Sequence, residues 1–298
     1  MEHLTIGIAS IGRSGLLRIL SSLDEIDVPA DLSVEILVAD DDPAGGAVRL
    51  LSDRKGKLPV RVLSVGSRNI ATARNACLDH ARGIWMAFVD DDEIVARDWL
   101  VRLFAAMNEF RADVVVGPVY PVYPPETPDW LQRANPLYVD WGRRGALVDT
   151  GRSGNVLFRR DDARWSALRF DAALGRSGGE DTDFFHRLHC AGAVIVVTND
   201  ARIEEEAPAA RLDRDYLRRR ALRSGQSYAR FRLGGAGRYR PRSLAFYALA
   251  LGKAAAGFSL ALALRPFDRG RSFALMQKGW LNVGKLRHFA ALELPTMY

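Results

Sequence analysis

The chain has 298 residues, of which 48% are hydrophobic and 26% are charged, so it can build one large domain or two smaller ones around an ordinary core. Its two cysteines, Cys77 and Cys190, exclude a disulfide framework and a cysteine-based metal cluster, and they indicate a reducing, cytosolic compartment. Residues 1–9 run directly into a strand-like segment, so we expect no amino-terminal leader.

The charge is distributed unevenly along the chain. Residues 1–210 contain 24 Lys and Arg against 32 Asp and Glu, a net of −8, whereas residues 211–298 contain 18 against 4, a net of +14. We therefore predict two regions with different roles, a domain over residues 1–210 and a basic, partly apolar helical region over residues 211–298. A region of such positive charge can face nucleic acid, anionic lipid or a phosphorylated substrate.

Residues 4–117 alternate short apolar runs with segments of helical apolar spacing. The predicted strands cover 4–9, 34–39, 60–65, 85–89 and 114–117, and the predicted helices cover 15–23, 69–82 and 99–107. Strands that alternate with amphipathic helices predict an α/β fold, in which a mostly parallel sheet carries helices on both faces.

Two of the predicted strands run directly into three consecutive carboxylates. Open α/β sheets bind ligands beyond the carboxyl ends of their strands, and adjacent like charges of this kind are usually offset by a hard divalent cation. The pattern predicts Mg²⁺ or Mn²⁺ at this edge, and through it a diphosphate. The alternative is a solvated acidic turn that caps the following helix, with Asp98 in its first turn. The acidic residues concerned are Asp40, Asp41, Asp42, Asp90, Asp91 and Asp92.

Residues 118–136 contain six prolines among aromatic residues such as Tyr120, Tyr123 and Trp130. We predict a long irregular loop here, and we interpret it as a binding loop because aromatic residues are depleted in linkers. A linker is the alternative.

A second acidic group lies further along the chain. After a predicted strand at 154–158, two glycines precede Glu180, Asp181 and Asp183, and a helix over 184–189 and a strand over 194–197 follow. Acids at a helix start can simply favour the helix terminus electrostatically. A carboxylate placed opposite a diphosphate leaving group could also deprotonate an attacking hydroxyl, and Asp181 or Glu180 suits that role.

The basic region has its own pattern. An arginine-rich helix is predicted over 216–232, an apolar stretch over 244–264 is interrupted only by Lys253, and a short apolar and basic segment follows at 279–286. The apolar stretch is long enough to span a bilayer, fits a membrane-surface helix equally well, and could also be a buried core helix. Arg68, Arg74 and the arginines of residues 218–223 could bind phosphate oxygens.

Four segments, taken in order, resemble the inverting family 2 glycosyltransferases of the GT-A fold over roughly residues 4–230. The segments are Asp40-Asp41, Ala73-Arg74-Asn75, Phe88-Val89-Asp90-Asp91-Asp92-Glu93 and Gly179-Glu180-Asp181-Thr182-Asp183. The later segment from Glu206 to Gly225 is similar to bacterial exopolysaccharide glycosyltransferases of the succinoglycan type. Those enzymes extend sugars on a lipid-linked carrier at the inner face of the cytoplasmic membrane.

The resemblance implies a role for each matching residue. On the donor side, Asp40 and Asp41 would contact the nucleotide base, and Arg74 would help hold the donor nucleotide. Asp91 would lie near the ribose with Asp90 beside it, and Asp92 and Asp90 would bind Mg²⁺ or Mn²⁺. On the acceptor side, Asp181 would be the catalytic base and Glu180 would contact the acceptor. The implied partners are a UDP-sugar, a lipid-linked saccharide acceptor and an anionic membrane surface at the cytoplasmic face of the inner membrane. The implied reaction is transfer of one sugar with inversion.

Two departures from the family pattern qualify this expectation. The first acidic loop reads Asp-Asp-Asp-Pro where the family usually has Asp-Asp-Gly-Ser, which would reshape the base pocket. A Gln-x-x-Arg-Trp motif is absent from the sequence, which argues against a processive synthase.

Other functions fit the sequence less well. A sugar-phosphate nucleotidyltransferase usually has a glycine-rich basic signature at the first strand, which residues 8–13 match poorly. A glycosidase needs paired carboxylates but not two Asp triplets at strand ends. An inactive membrane-associated scaffold of the same fold stays open, although Asp92 and Asp181 are both retained. The basic region lacks a recognisable nucleic-acid motif, and its apolar stretch suits lipid better.

Overall fold

The computed structural model describes residues 2–234 and 240–290. Their contacts divide the chain into two units: unit 1 comprises Met1–Tyr120 and Val139–Glu205, and unit 2 comprises Pro121–Tyr138 and Glu206–Tyr298. The sequence-based boundary at residue 210 lies close to the second of these divisions. The sequence analysis placed residues 121–138 in the first domain, whereas their contacts group them with the carboxyl-terminal unit.

The secondary structure of the described residues is as follows. The strands are β1 (Glu2–Ser10), β2 (Leu32–Asp40), β3 (Val60–Ser64), β4 (Trp85–Phe88), β5 (Glu93–Val95), β6 (Val114–Val116), β7 (Val119–Val122), β8 (Leu147–Val148), β9 (Val156–Arg159), β10 (Ile195–Val197) and β11 (Ile203–Glu206). The α-helices are α1 (Gly15–Asp24), α2 (Gly46–Leu51), α3 (Ile70–His80), α4 (Trp99–Phe110), α5 (Asp129–Ala134), α6 (Glu180–Cys190), α7 (Arg214–Leu233), α8 (Pro241–Leu264) and α9 (Arg269–Phe289). A short 3₁₀ helix covers Ala209–Leu212.

The main sheet has eight strands in the order β3-β2-β1-β4-β9-β6-β10-β8. β1 pairs in parallel with β2 and β4, β2 with β3, and β6 with β10. β9 runs antiparallel between β4 and β6, and β8 is an antiparallel edge strand. The predicted α/β class with a mostly parallel sheet is therefore confirmed.

Both faces of this sheet are buried, which explains why its central strands are continuous apolar runs. On one face, Leu4, Ile6 and Ile8 of β1 pack with the apolar sides of α1 and α4. On the other face, Met86 and Phe88 of β4 pack with residues of α3 and α6. Helices thus cover both faces, as the alternating pattern predicted.

The prediction of an irregular loop over residues 118–136 was wrong. The segment contains β7 and the short helix α5. Trp130 of α5 packs edge-to-face on Phe273 of α9, with ring centres 5.6 Å apart, and the guanidinium of Arg269 lies 5.0 Å from the centre of the Trp130 ring. Pro128 stands at the amino-terminal cap of α5, where a missing N–H costs little, so proline does not prevent this helix.

The helices α7, α8 and α9 make up most of unit 2. The segment predicted at 279–286 is part of α9, a continuous helix of 21 residues. By length and composition, α8 is the one helix among residues 2–234 and 240–290 that could cross a membrane. Core helices of soluble proteins also have this length and apolar composition.

Candidate active site

The parallel register of unit 1 brings several polar strand ends to one edge of the sheet. Ser10, at the end of β1, is aligned with Asp40, at the end of β2. β4 is aligned with β1 on its other side, with Phe88 opposite Gly7. The residues after β4 therefore emerge beside those after β1 and β2. The two acidic segments lie at the same edge, as the sequence predicted.

The carboxylates of Asp40 and Asp41 both accept hydrogen bonds from backbone N–H groups of nearby segments. Asp40 is fully buried, and its two carboxylate oxygens accept hydrogen bonds from the backbone N–H of Asp42 (3.1 Å) and of Val48 in α2 (2.9 Å). Asp41 accepts three hydrogen bonds, from the N–H (2.8 Å) and hydroxyl (2.6 Å) of Ser67 and from the N–H of Asn69 (2.6 Å). Their assignment to the nucleotide base stays a prediction.

The loop that Asp41 holds contains a strained residue. Arg68, between Ser67 and Asn69, has a φ of 49°, in the left-handed region that a side chain disfavours. Its backbone N–H donates to the carbonyl of Asp41 at 3.3 Å. The Arg68 side chain is exposed, so it is available to a ligand at this edge.

Asp91 is held by groups on the first strand and its loop. The hydroxyl of Ser10 donates to one Asp91 oxygen at 2.6 Å, and the Arg13 guanidinium lies 3.9 Å from the other. Burial raises the pKa of the Asp91 carboxyl above its ordinary value, and the Ser10 hydrogen bond opposes that change. The close approach of α1 to this loop needs Gly15, because a Cβ there would lie 2.6 Å from the Asp91 carbonyl oxygen.

Glu93 fixes the backbone of Asp90. One oxygen of the buried Glu93 accepts the N–H of Asp90 at 2.8 Å. A Cβ on Gly154 would lie 2.6 Å from the other Glu93 oxygen and 3.4 Å from an Asp90 oxygen. Glu93 and Gly154 therefore pack against the loop after β4, while the Asp90 side chain remains 41% exposed.

Arg74 joins the two acidic regions that the sequence separates. Its guanidinium donates to Asp90 at 2.8 Å and to Glu180 at 2.6 Å, and the side chain is only 5% exposed. Burial alone would lower the pKa of Arg74, but the charges of Asp90, Glu180 and Asp181 outweigh it and raise that pKa above its ordinary value. Arg74 therefore stays charged and ties α6 to the loop after β4.

Glu180 and Asp181 occupy the first turn of α6 but differ in environment. Gly178 and Gly179 precede the helix with φ values of 81° and 93°, which only glycine adopts readily. Glu180 is buried, and one of its oxygens has no hydrogen-bond partner among the described residues. Burial, and then the charge of Asp181, raises the pKa of Glu180, whereas Arg74 opposes the rise.

Asp181 is half-buried, and it accepts local hydrogen bonds from the backbone N–H (2.6 Å) and the hydroxyl (3.3 Å) of Thr182. Asp183 instead forms an ion pair with Arg187 one turn later, at 2.8 Å. The charge of Asp181 acts on both Arg74 and Glu180, whereas Glu180 and Asp183 each form an ion pair with an arginine.

The residues after β4 can supply two metal ligands. Within residues 2–234 and 240–290, no three His, Cys, Asp or Glu side chains form a group that could hold a metal ion. Asp90 and Asp92 nevertheless lie two residues apart on one loop and are both partly exposed. Mg²⁺ is commonly bound by one or two carboxylates, substrate phosphates and water. The pair fits a metal held jointly with a diphosphate rather than an all-protein cage.

The interpretation of residues 90–92 as a helix-capping turn was wrong. β5 lies between these acids and α4, and Asp91 is buried rather than solvated. Asp98, at the cap of α4, makes no side-chain cap hydrogen bond and pairs with Arg102 instead.

Of the arginines suggested to bind phosphate, Arg74 is committed to carboxylates and Arg68 is exposed. Arg220 of α7 donates to the carbonyls of Pro136 and Leu137 at 2.9 and 3.0 Å, which is a structural role within unit 2.

Sequence reasoning missed Ser10, Glu93 and Ser67 as members of this site. Ser10 could have been found, because a polar residue ending the first strand must share an edge with those ending its parallel neighbours. Glu93 directly follows the second Asp triplet, but only its burial distinguishes it from a solvated acid. Ser67 is identified only by its contact with Asp41.

Comparison with known proteins identifies the family. The sequence profile described as "Glycosyl transferase family 2" matches residues 12–171, which include both Asp segments and Arg74. The succinoglycan biosynthesis protein ExoM of Rhizobium meliloti (strain 1021) is 34% identical over 308 aligned positions, covering 99% of this chain and 98% of that protein. This second match extends through Glu180 and Asp181 to the carboxyl-terminal helices.

Two solved structures share the fold. The mannosyltransferase PcManGT from Pyrobaculum calidifontis, solved with GDP-Man and Mn²⁺, superposes with a TM-score of 0.63 at 19% identity, over 97% of this chain and 88% of that one. Residues 1–349 of S. aureus TarS, solved with UDP-GlcNAc, give 0.54 at 17% identity, over 98% and 92%. The chain spans 55% of a longer TarS structure.

The fold that this chain shares with these structures is GT-A-like, with a mostly parallel central sheet and flanking helices. The profile match over more than half of the sequence and the full-length similarity to ExoM agree with that fold. The chain belongs to glycosyl transferase family 2.

Proposed function

We propose that this protein transfers one hexose, with inversion, from a UDP-sugar to a lipid-linked saccharide during bacterial exopolysaccharide biosynthesis. The observation that carries the proposal is the Arg74 bridge between Asp90 and Glu180. This bridge connects the acidic loop after β4, on the proposed donor side, with the acidic first turn of α6. A transferase needs that combination, because leaving group and attacking hydroxyl must be handled together.

The donor side would be formed by the strand ends of β1, β2 and β4. Asp41 and its loop would face the base, and Asp91 would face the ribose. Arg68 is exposed on the loop that Asp41 holds, so its guanidinium could bind a diphosphate oxygen. Asp40 would support the donor site by holding the backbone of Asp42 and Val48, since both of its oxygens accept backbone N–H groups.

A divalent cation fits this donor side, held by Asp92 and Asp90 together with diphosphate oxygens. When bound, it would neutralise the negative charge that develops on the departing diphosphate. Arg74 would keep the Asp90 carboxylate oriented, because it holds one Asp90 oxygen at 2.8 Å. The structurally similar P. calidifontis mannosyltransferase was solved with Mn²⁺, which supports Mn²⁺ or Mg²⁺ as the cation in this site.

On the acceptor side, Asp181 would be the base. The acceptor hydroxyl would give its proton to the Asp181 carboxylate, and its oxygen would form a bond to the anomeric carbon. The bond from that carbon to the diphosphate would break, and its electron pair would leave with the diphosphate. Attack from the side opposite the leaving group inverts the configuration. Glu180, anchored by Arg74 at 2.6 Å, would position the acceptor from beneath.

The nature of donor and acceptor rests on the relatives. S. aureus TarS was solved with UDP-GlcNAc, which supports a UDP-sugar, and ExoM is a succinoglycan biosynthesis protein, which supports a saccharide acceptor. The net charge of +14 over residues 211–298 and the apolar helix α8 support work at the cytoplasmic face of a membrane.

Calorimetric titration of the full chain tests the donor assignment. UDP, UDP-GlcNAc, other UDP-hexoses and GDP-mannose are titrated with and without Mn²⁺ into the parent, Asp92→Ala and the control Asp98→Ala, whose carboxylate pairs with Arg102 at the surface. We expect metal-dependent binding that is lost in Asp92→Ala and kept in Asp98→Ala. Binding of GDP-mannose alone would overturn the UDP assignment, and no binding of any nucleotide sugar would favour an inactive scaffold.

A further inference from the structure

Helix α8 has two faces of different character. The first face packs inside unit 2 and consists mainly of small residues spaced three or four apart: Ser243, Tyr247, Ala250, Ala254, Gly257 and Ala261. The second face is open and carries large apolar side chains: Leu244, Leu249, Leu251, Leu260 and Leu262. Apart from Lys253, the exposed residues between 244 and 263 are uncharged.

Helix α9 fixes which face is open. The Ser272 hydroxyl donates to the carbonyl of Ala261 at 2.7 Å, and near the other end the Tyr247 hydroxyl hydrogen-bonds His288 at 2.8 Å. Between these points, a Cβ on Gly257 would lie 3.3 Å from the Cα of Gly279. The two helices therefore run antiparallel in close contact along their length, and α8 cannot turn its leucines inward.

This open face lies within a strongly cationic part of the chain. From residue 216 to residue 292 the sequence contains 16 Lys and Arg and a single acid, Asp268. A contiguous exposed apolar face usually marks a binding surface. With this surrounding charge, the complementary partner is an anionic surface that also offers hydrocarbon.

Two lysines mark one edge of the face. The Lys285 ammonium lies 4.9 Å from the ring centre of Tyr228 and donates to the side chain of Asn282 at 3.0 Å. Burial lowers the pKa of Lys285, and the neighbouring charge of Lys253 lowers it further. Lys253 is exposed on α8. Two ammonium groups held near each other are an arrangement that a phosphate would stabilise.

A transmembrane arrangement of α8 conflicts with its packing. If α8 crossed a bilayer, α9 would enter the hydrocarbon beside it, because the two helices are in contact along their length. Helix α9 has Gln277 and an exposed Lys278 at mid-length and Lys285 and Arg287 further on. Charged residues facing hydrocarbon are strongly disfavoured. A helix that lies in the interface with only its open face in lipid avoids this conflict.

We infer that α8 lies flat on an anionic phospholipid bilayer, with its exposed leucines at the boundary of the acyl chains and with Lys253 and Lys285 on headgroup phosphate. The inference rests on the proposed function only in that a lipid-linked acceptor gives such docking a purpose. The binding itself needs neither donor nor acceptor. It names the residues of unit 2 that meet the bilayer and their orientation.

Vesicle flotation of the full chain tests the docking face. We use phosphatidylcholine vesicles with and without phosphatidylglycerol and compare the parent with Leu251→Glu/Leu262→Glu and with the control Leu147→Glu. Leu147 is 74% exposed, but it lies on β8 of unit 1. We expect the parent and Leu147→Glu to float with the anionic vesicles, and the double variant to bind at least tenfold more weakly. Equal flotation of all three proteins would overturn the inference.

The charge and the orientation are tested separately. Lys253→Glu should reduce flotation with anionic vesicles several-fold, and parent binding that is equal on neutral vesicles would contradict the requirement for an anionic surface. Alkaline carbonate should release the bound parent, whereas retention would indicate a spanning helix. If Leu251→Glu/Leu262→Glu instead dissociated an oligomer in sedimentation, a second copy of the chain would be the partner, and the inference would fail.

These outcomes are independent of catalysis. The vesicles contain no saccharide acceptor, and UDP-sugar binding by each variant is measured in solution beside flotation. Vesicle binding without any nucleotide-sugar binding would overturn the proposed function alone. Nucleotide-sugar binding with no vesicle binding would overturn the docking surface alone.

Discussion

Arg74 and Glu180 are 106 positions apart in sequence, yet the guanidinium of the first donates to the carboxylate of the second at 2.6 Å, and both side chains are buried. The same guanidinium holds Asp90. One buried cation therefore sets the position of a carboxylate on each side of the candidate active site. Its removal would leave the buried Glu180 without the arginine that pairs with its carboxylate.

The first prediction concerns this cation. We expect Arg74→Met to lower the free energy of unfolding by about 3–5 kcal/mol, because breaking a buried ion pair leaves an uncompensated charge. Urea unfolding measures this change. The double variant Arg74→Met/Glu180→Gln should recover part of the loss, since it removes that buried charge. A single variant as stable as the parent, or a double variant less stable than Arg74→Met, would contradict the bridge as described.

The second prediction separates two acids in the same helical turn. Asp181→Asn should lower the transfer rate by about 10²–10⁴-fold, the usual contribution of a general base, while nucleotide-sugar binding stays near the parent value. Asp183→Asn is the matched control, because Asp183 forms an ion pair with Arg187 at the surface. It should keep most of the activity. If Asp181→Asn turned over normally, another group would have to act as the base.

The third prediction concerns the loop held by Asp41. Asp41→Ala removes the acceptor for the Ser67 N–H, the Ser67 hydroxyl and the Asn69 N–H. We expect a loss of about 1.5–3 kcal/mol in the free energy of unfolding, as for hydrogen bonds to a buried charge. Asp42→Ala, one residue later and partly exposed, should change stability by about 0.5 kcal/mol or less. Chemical denaturation of the two variants compares them, and equal losses would rule out a specific role for Asp41.

The strand ends and their acids could be read from the sequence for a physical reason. Apolar runs such as residues 85–89 are continuous because both faces of the sheet are buried, and the polarity change at Asp90 marks where the strand leaves the core. Parallel pairing then brings Asp40 and Asp90 to one edge. The acids at residues 180–183 were found by a different signal, two glycines followed by acids at the start of a helix.

Other features depend on contacts between distant segments. β9 is a short apolar run whose composition does not reveal that it runs antiparallel between two other strands. The Arg74 bridge is likewise invisible in sequence, since Arg74 lies on the buried side of α3. The helix α5 was missed because prolines were taken to exclude helix, although Pro128 lies at the cap position where proline is tolerated.

The fourth prediction uses the two free thiols. Cys77 is buried, and burial raises the pKa of its thiol to about 12, whereas Cys190 is exposed. Because the thiolate is the reactive form, a maleimide at pH 7.5 should label one cysteine in the native protein and two after unfolding. Mass spectrometry of peptides should place the native label on Cys190. Equal rapid labelling of Cys77 in the folded protein would contradict the buried core of unit 1 described above.

The fifth prediction compares two helical glycines of unit 2. A Cβ on Gly225 of α7 would clash with the backbone carbonyl of Leu281 in α9, whereas a Cβ on Gly252 of α8 would meet nothing within 4 Å. Gly225→Ala should therefore force α7 and α9 apart and destabilise the protein by about 1–3 kcal/mol. Gly252→Ala should instead stabilise it by up to about 1 kcal/mol, because alanine favours helix. Thermal unfolding compares the stabilities of the two variants. If Gly225→Ala is as stable as Gly252→Ala, α7 and α9 do not pack as closely at Gly225 as described.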